Sequence, residues 1–454
     1  MRLLIDTTAI NVGKRPLTGI PRVVHNYLKF GYSFGAEQGI EVLPVCMVDG
    51  TLVLQRASDL FPAPPGHGLG RRRRGTRALL LLGAFGTAFG LAHVPYGLAW
   101  VALFLRPPAG PGSRTRRATR ALSGALHSLK APARYFWSAY MRQATVSPQP
   151  QDVFFAPAYW HDIDPAVLRG VADKMAASFV LVHDIIPVTH PQYYHAPWRD
   201  EFRENVGAAL TSFSAVLAIS NATAQSIRHC YPAQSARAVL TVAHNGYEPL
   251  PTGGAVRDAL ARVFRDGPAP WLMVGTIEPK KGHLDVLHAL RALKSKGLAA
   301  RRLIVLGRKG WMYDAIVAEL RKAEAEGLAV WSDDATDAEL AFAYRNAHLL
   351  IQSSQDEGFG LPMVEAASNG CPVVARRSPI SQEVLGDCGL YFDTVEELGA
   401  ILAEMETAGA FEAQRAVMQK FDWPAWQEVV PAVFQALLDH ARGHPLPPTI
   451  QPRR

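Results

Sequence analysis

The stretch DEGFGLPMVEAA, beginning at Asp356, holds two glutamates, Glu357 and Glu365, around a turn with two glycines and a proline. Gly358 and Gly360 let the backbone approach a ligand closely. Pro362 suits the opening of a helix, where its missing N–H needs no partner. The exposed amides of such a helix start favour an anion. The spacing predicts Glu357 on the loop before the helix and Glu365 in its first turn. Carboxylates repel phosphate but accept hydrogen bonds from hydroxyls. An anion-seeking backbone flanked by two such acceptors therefore suits a nucleotide sugar, with its diphosphate at the helix start and hydroxyl-bearing rings on either side. A glutamate in a first turn can also serve as a mere dipole partner, so the pair needs support from elsewhere in the chain.

That support must come from elements able to place the turn at a binding edge. Short apolar runs alternate with helical patterns, the signature of parallel βαβ units. WLMVG precedes a helix beginning near Gly282, RLIVLG one near Tyr313, and LAVWS one opened by Thr336 and Glu339 at capping-box spacing. HLLIQSS leads into the glutamate turn. In such sheets, ligands sit beyond the carboxyl ends of the strands. The pattern predicts an α/β protein of two Rossmann-like, doubly wound domains facing a cleft, residues 1–250 and 251–422. A terminal helix over 423–440 and a disordered tail over 441–454 complete it. With 454 residues, the chain exceeds one ordinary core.

The charge is unevenly distributed. The whole chain carries +7, but no acidic residue lies between Asp59 and Asp152, where twelve arginines and one lysine stand. The alkaline balance therefore belongs to one insertion, about 60–150, and does not mark the protein as a nucleic-acid binder. Within the insertion, 28 residues from Ala78 to Leu105 carry no formal charge, and arginines crowd both flanks. Both flanks prefer the cytoplasm, and a single crossing would divide one sheet between two compartments. A hairpin over 78–105, held at the inner face of the plasma membrane, is the expectation, with the rest cytoplasmic. The four cysteines show no metal or redox spacing and are expected to be reduced.

EGFGLPMVEAASNGCPVVA, with VGTIEPKKGH (274–283) and HNGYE (244–248), resembles the GT-B retaining glycosyltransferases of glycosyltransferase family 4, above all members that build bacterial surface polysaccharides, mannosyltransferases among them. In the first domain, TGIPRVVHNYL (18–28) and LVHDIIPVTHP (181–191) resemble that family's glycine loop and histidine-bearing strand end. The resemblance implies that Glu357 contacts donor-sugar hydroxyls, Glu365 holds the ribose and Lys281 pairs with the diphosphate. Backbone around Gly358, Phe359, Gly360 and Leu361 would touch sugar and phosphate. His183 would line the reaction centre, and Gly19 would let the first loop close. It also implies transfer with retention from a nucleoside-diphosphate sugar to a saccharide acceptor, lipid-linked or an oligosaccharide, without a cofactor or metal. Where the family often has arginine after the glycine of the second domain's first strand, Thr276 follows Gly275, leaving Lys280 or Arg308 to compensate. Arg376 and Arg377 stand where a small hydroxyl residue is usual; a solvated pair is expected. A nucleotide-sugar 2-epimerase and a non-catalytic nucleotide-sugar-binding scaffold are the alternatives. His183 and Asp184 without a third ligand make a weak metal pair.

Overall fold

The computed structural model describes residues 1–8, 19–48, 51–55, 145–158, 160–250, 253–298 and 301–452. The insertion, including the hairpin expected at 78–105, lies outside them. Among the described residues, no helix is long and apolar enough to cross a membrane.

Two sheets carry the fold. The first contains β1 (Arg2–Asp6), β2 (Glu41–Val48), β3 (Thr51–Leu54), β4 (Val153–Ala156), β5 (Ala177–Val182), β6 (Ala215–Ala218), β7 (Leu240–Ala243) and, from the chain end, β14 (Thr449–Ile450). The second contains β8 (Trp271–Val274), β9 (Leu303–Leu306), β10 (Ala329–Ser332), β11 (Leu349–Gln352), β12 (Val373–Arg376) and β13 (Leu390–Phe392). Their orders are β14-β7-β6-β5-β4-β1-β2-β3 and β10-β9-β8-β11-β12-β13. Every pairing is parallel except β2 with β3. The strands read as apolar runs because helices cover both faces; β4, β5, β6, β9 and β11 are buried along their whole length. In each sheet the order reverses beside its first strand, at β1–β4 and at β8–β11. Such switch points open crevices at the carboxyl ends of strands.

Local signals set several boundaries. The Thr336 side chain accepts from Glu339 N and the Glu339 side chain reaches back, giving the expected capping box on Asp337–Asn346. The helix of the glutamate turn is Leu361–Ser368, with Pro362 in its first turn.

The chain end departs from expectation. The terminal helix, Trp426–Ala441, packs against the first-domain helix Ile20–Gln38 and against β4 and β5. Its Phe434 ring lies 5.7 Å from Tyr27, 5.9 Å from Phe34 and 6.0 Å from Phe155. The tail expected to be disordered over 441–454 instead returns to the first sheet. Thr449 and Ile450 pair with β7, and Thr241 Oγ1 donates to Pro447 O at 2.5 Å. Composition alone hid this, because a two-residue strand needs only a waiting edge.

Phe434 is fully buried among these rings. Phe434→Ala should cost about 3–5 kcal/mol, read as a loss in chemical-denaturation free energy. A cost below about 1 kcal/mol would mean the helix does not anchor the first domain.

Candidate active site

A cavity of about 460 Å³ lies between the two sheets. Most of its wall comes from segments that leave strand carboxyl ends: His183 and Asp184 after β5, Ile219 after β6, Asn245 after β7, Gly275 and Thr276 after β8, Gly307 and Arg308 after β9, and Glu357–Leu361 after β11. Two helix starts add to the wall, at Gly19–Ile20 and at Gly360–Leu361, so backbone amides favour anionic ligands here. Lys281 and Glu365 line it as well.

Lys281 and Glu357 form the centre of the site. Lys281 Nζ lies 2.5 Å from Glu357 Oε1, which also accepts from Gln352 Nε2 at 3.0 Å and Ser354 Oγ at 2.7 Å. Burial works against the Glu357 charge, but Lys281 and Lys280 outweigh it and hold the carboxyl below its usual range. Lys281 is placed by the short turn Pro279–Lys281, whose Lys280 O accepts from Gln355 N at 2.7 Å. Ser353 Oγ donates to Lys281 O at 2.7 Å. The lysine turn and the glutamate loop are thus stitched together through backbone before any ligand arrives.

Gly358 is where the loop meets the first domain. A Cβ there would lie 1.9 Å from His183 O and 3.0 Å from Asp184 Cβ. Ser220, the cap of Asn221–Cys230, accepts from Thr223 N and donates to Gly358 O at 2.8 Å. Phe359 packs 5.4 Å from Trp423, and Gly360 supplies the positive φ of 82° that opens the helix. Glu383 spans the cleft as well. Its carboxylate accepts from Asn221 N at 2.7 Å and Ala222 N at 2.9 Å and pairs with His244 Nε2 at 2.7 Å.

Glu365 differs from expectation in two ways. The helix begins at Leu361, so Glu365 falls in its second turn. Its carboxylate is also engaged: Arg22 Nη1 donates across the cleft at 2.6 Å, and Tyr344 OH of the same domain donates at 2.8 Å. Burial raises its pKa, with Arg22 and the Tyr344 hydrogen bond opposing. Arg22 reaches Asp337 too, at 2.8 Å. Arg22 lies inside the quoted stretch TGIPRVVHNYL, where only Gly19 was singled out.

Lys280 does not line this cavity. It is buried on the other side of the turn, 3.7 Å from Glu278, among Asp184 and Tyr194. Adjacent residues on a tight turn point apart, which spacing did not separate. Arg308, the other proposed compensator, does line the cavity. Arg377 is solvated as expected, pairing with exposed Asp393 at 3.0 Å, but Arg376 is not: it is largely buried and binds Asp285 at 2.6 Å.

His183 donates from Nε2 to Pro157 O at 2.7 Å. Burial pushes its pKa down to about 4, so the ring is neutral near pH 7 with Nδ1 left as acceptor. Among the described residues, no cluster of three or more His, Cys, Asp or Glu could hold a metal ion. The four cysteines are free thiols.

Residues 261–409 match the family described as Glycosyl transferases group 1. The chain is 29% identical over 293 residues to the serotype-specific mannosyltransferase WbdA of Escherichia coli, covering 61% of this chain and 36% of that protein. It is 26% identical over 263 residues to the O-antigen chain mannosyltransferase B of Escherichia coli, covering 57% of this chain and 65% of that one. The chain thus spans about a third of WbdA's length. Among solved structures, sucrose-phosphate synthase from Thermosynechococcus elongatus superposes with a TM-score of 0.58 at 16% identity, over 98% of this chain and 100% of that chain. Anabaena HepE, in complex with UDP and glucose, superposes with a TM-score of 0.54 at 15% identity, over 97% and 100%. These likenesses establish the fold.

Two outcomes test the site. Gly358→Ala should wedge the loop off His183, raising the radius of gyration in solution scattering while far-ultraviolet dichroism stays unchanged; an unchanged radius would contradict the contact. His283, like His183, is pushed down to about 4, burial being the main cause. Unfolded histidine titrates near 6.5, so between pH 6.5 and 4 the unfolded chain binds more protons and stability falls as pH falls. His283→Gln should flatten that slope relative to wild type, by roughly 3 kcal/mol over the window. Identical slopes would show that His283 titrates normally.

Proposed function

From a Glycosyl transferases group 1 domain set in a GT-B fold, we infer that the chain transfers a hexosyl group from a nucleoside-diphosphate sugar to a saccharide acceptor, in the synthesis of a bacterial surface polysaccharide. The single observation that carries this reading is the Lys281–Glu357 pair beside the start of Leu361–Ser368 in the interdomain cavity. Mannose is the sugar we favour, supported by relatives named as mannosyltransferases.

The donor diphosphate would lie against the amides near Gly360 and Leu361, with Lys281 offsetting the charge that grows as it leaves. Glu357, ionised and held by three donors, would accept from sugar hydroxyls through its remaining lone pairs. Glu365 would take the ribose once Arg22 yields one of its two partners. In the transfer, the acceptor oxygen bonds to the anomeric carbon as that carbon's bond to the diphosphate oxygen breaks. The acceptor proton passes to the departing diphosphate on the same face, which gives retention. His183, neutral and facing the cavity from the first domain, would shape the reacting face without adding positive charge.

We also favour a lipid-linked saccharide acceptor at the cytoplasmic face of the membrane. The support is the arginine-flanked apolar stretch of the insertion, since arginine attracts anionic lipid. Deleting 71–120 should release the protein from the membrane fraction; unchanged recovery would remove this part of the reading.

A thermal-shift panel of GDP-, UDP-, ADP- and dTDP-hexoses tests the donor class, because a ligand that binds only the folded state raises Tm. One nucleotide series is expected to do so. Glu357→Gln and Lys281→Ala should then cut transfer by about 10²–10³-fold with the far-ultraviolet dichroism of the folded protein retained. Full turnover by either variant would reject the assignment.

A further inference from the structure

Arg22 stands where a helix least favours a cation. It lies in the first turn of Ile20–Gln38, a turn with no acidic residue, so the positive end of the helix faces its charge. The side chain lines the 460 Å³ cavity and also a smaller one of about 190 Å³, which shares Leu361 and Glu365 with the first. The wall of the smaller cavity includes Tyr247, Asp337 and Trp426.

What holds the guanidinium there comes from the other domain. Nη1 donates to Glu365 Oε1 at 2.6 Å and Nη2 to Asp337 Oδ1 at 2.8 Å. The two carboxylates are not equivalent. The Asp337 side chain is 44% exposed, against 10% for Glu365 and 17% for Arg22. An exposed ion pair is worth little. An enclosed one costs the desolvation of both charges, and breaking it strands a buried charge. The bond to Glu365 is therefore the lasting one, and the bond to Asp337 is the one that yields.

Glu365 is held from both domains, one oxygen by each. Oε1 takes Arg22, and Oε2 takes Tyr344 OH at 2.8 Å. A carboxylate offers about four lone-pair sites, so each oxygen keeps room for another donor. Two acceptors side by side match the two hydroxyls of a vicinal diol. A hydroxyl bound at Oε1 has lone pairs of its own, and Nη2 stands on the same planar fork as Nη1. Arg22, Glu365 and Asp337 together carry one net negative charge, which disfavours a phosphate here and suits a neutral diol.

We propose that Arg22 is the first-domain half of the ribose site: it keeps Glu365, turns Nη2 from Asp337 to a hydroxyl oxygen of the donor's ribose, and so reads the diol from the side opposite Glu365. The ribose at Glu365 belongs to the nucleotide-sugar reading, on which this inference rests; the role of Arg22 goes beyond it.

Calorimetric titration of the full chain with GDP, UDP and ADP, each beside its 2′-deoxy and 3′-deoxy forms, tests the role. At least one ribonucleotide is expected to bind, about tenfold or more tighter than one of its deoxy forms. Arg22→Met should narrow that ratio to within about twofold, while Arg22→Lys, which keeps the charge, should hold it above roughly threefold. A merely structural arginine would weaken both forms alike and leave the ratio unchanged. Asp337→Asn should tighten the ribonucleotide and leave the deoxy forms within about twofold, and it decides the matter if Arg22→Met does not fold. A ratio near one in the wild type, an unchanged ratio in Arg22→Met, or a lost ratio in Asp337→Asn would overturn the role of Arg22 and spare nucleotide binding. Failure of all three nucleotides to bind would overturn the role and the nucleotide-sugar reading together.

Discussion

A carboxylate kept ionised in a nearly closed cleft is the constraint on which the rest of the site depends. Glu357 is enclosed, and enclosure works against its charge. Lys281 keeps it charged, aided by Lys280 from the back of the same turn. This pairing dictates the local architecture. The turn Pro279–Lys281 must end β8, and the loop before Leu361–Ser368 must end β11, because these neighbouring strands flank the switch point of the second sheet. The hydrogen bonds of Ser353 and Gln355 to the lysine turn lock the two loops together. A ligand therefore meets a charge pattern already assembled, which is the condition for electrostatic stabilisation without reorganisation.

The cleft is held shut by contacts that use little side chain from the glutamate loop. Gly358 presents bare backbone to His183 and Ser220, while Glu383 and Arg22 reach over as charges. Arg22 has a double position. It holds Glu365 and Asp337 together from the opposite domain.

Much of this was legible along the chain, for identifiable reasons. Strands of the second sheet are continuous apolar runs, and the cap at Thr336 acts over three residues, so local pattern suffices. The glutamate turn was legible because its glycines and proline have few uses other than close approach and helix start. What escaped was long-range. Arg22 pairs with a residue 343 positions away, and Trp311 meets Tyr193 across 118. Lys280 and Lys281 are neighbours in sequence that lie on opposite sides of one turn. The tail's return to β7 follows from an open sheet edge that composition does not record.

The most direct test is a crystal structure of the chain with a non-hydrolysable nucleoside-diphosphate hexose. The account predicts diphosphate oxygens within hydrogen-bonding distance of Lys281 Nζ and of the amides at Gly360 and Leu361, with a sugar hydroxyl donating to Glu357. A donor bound outside this cavity, with Lys281 still closed on Glu357 and neither touching it, would contradict the account.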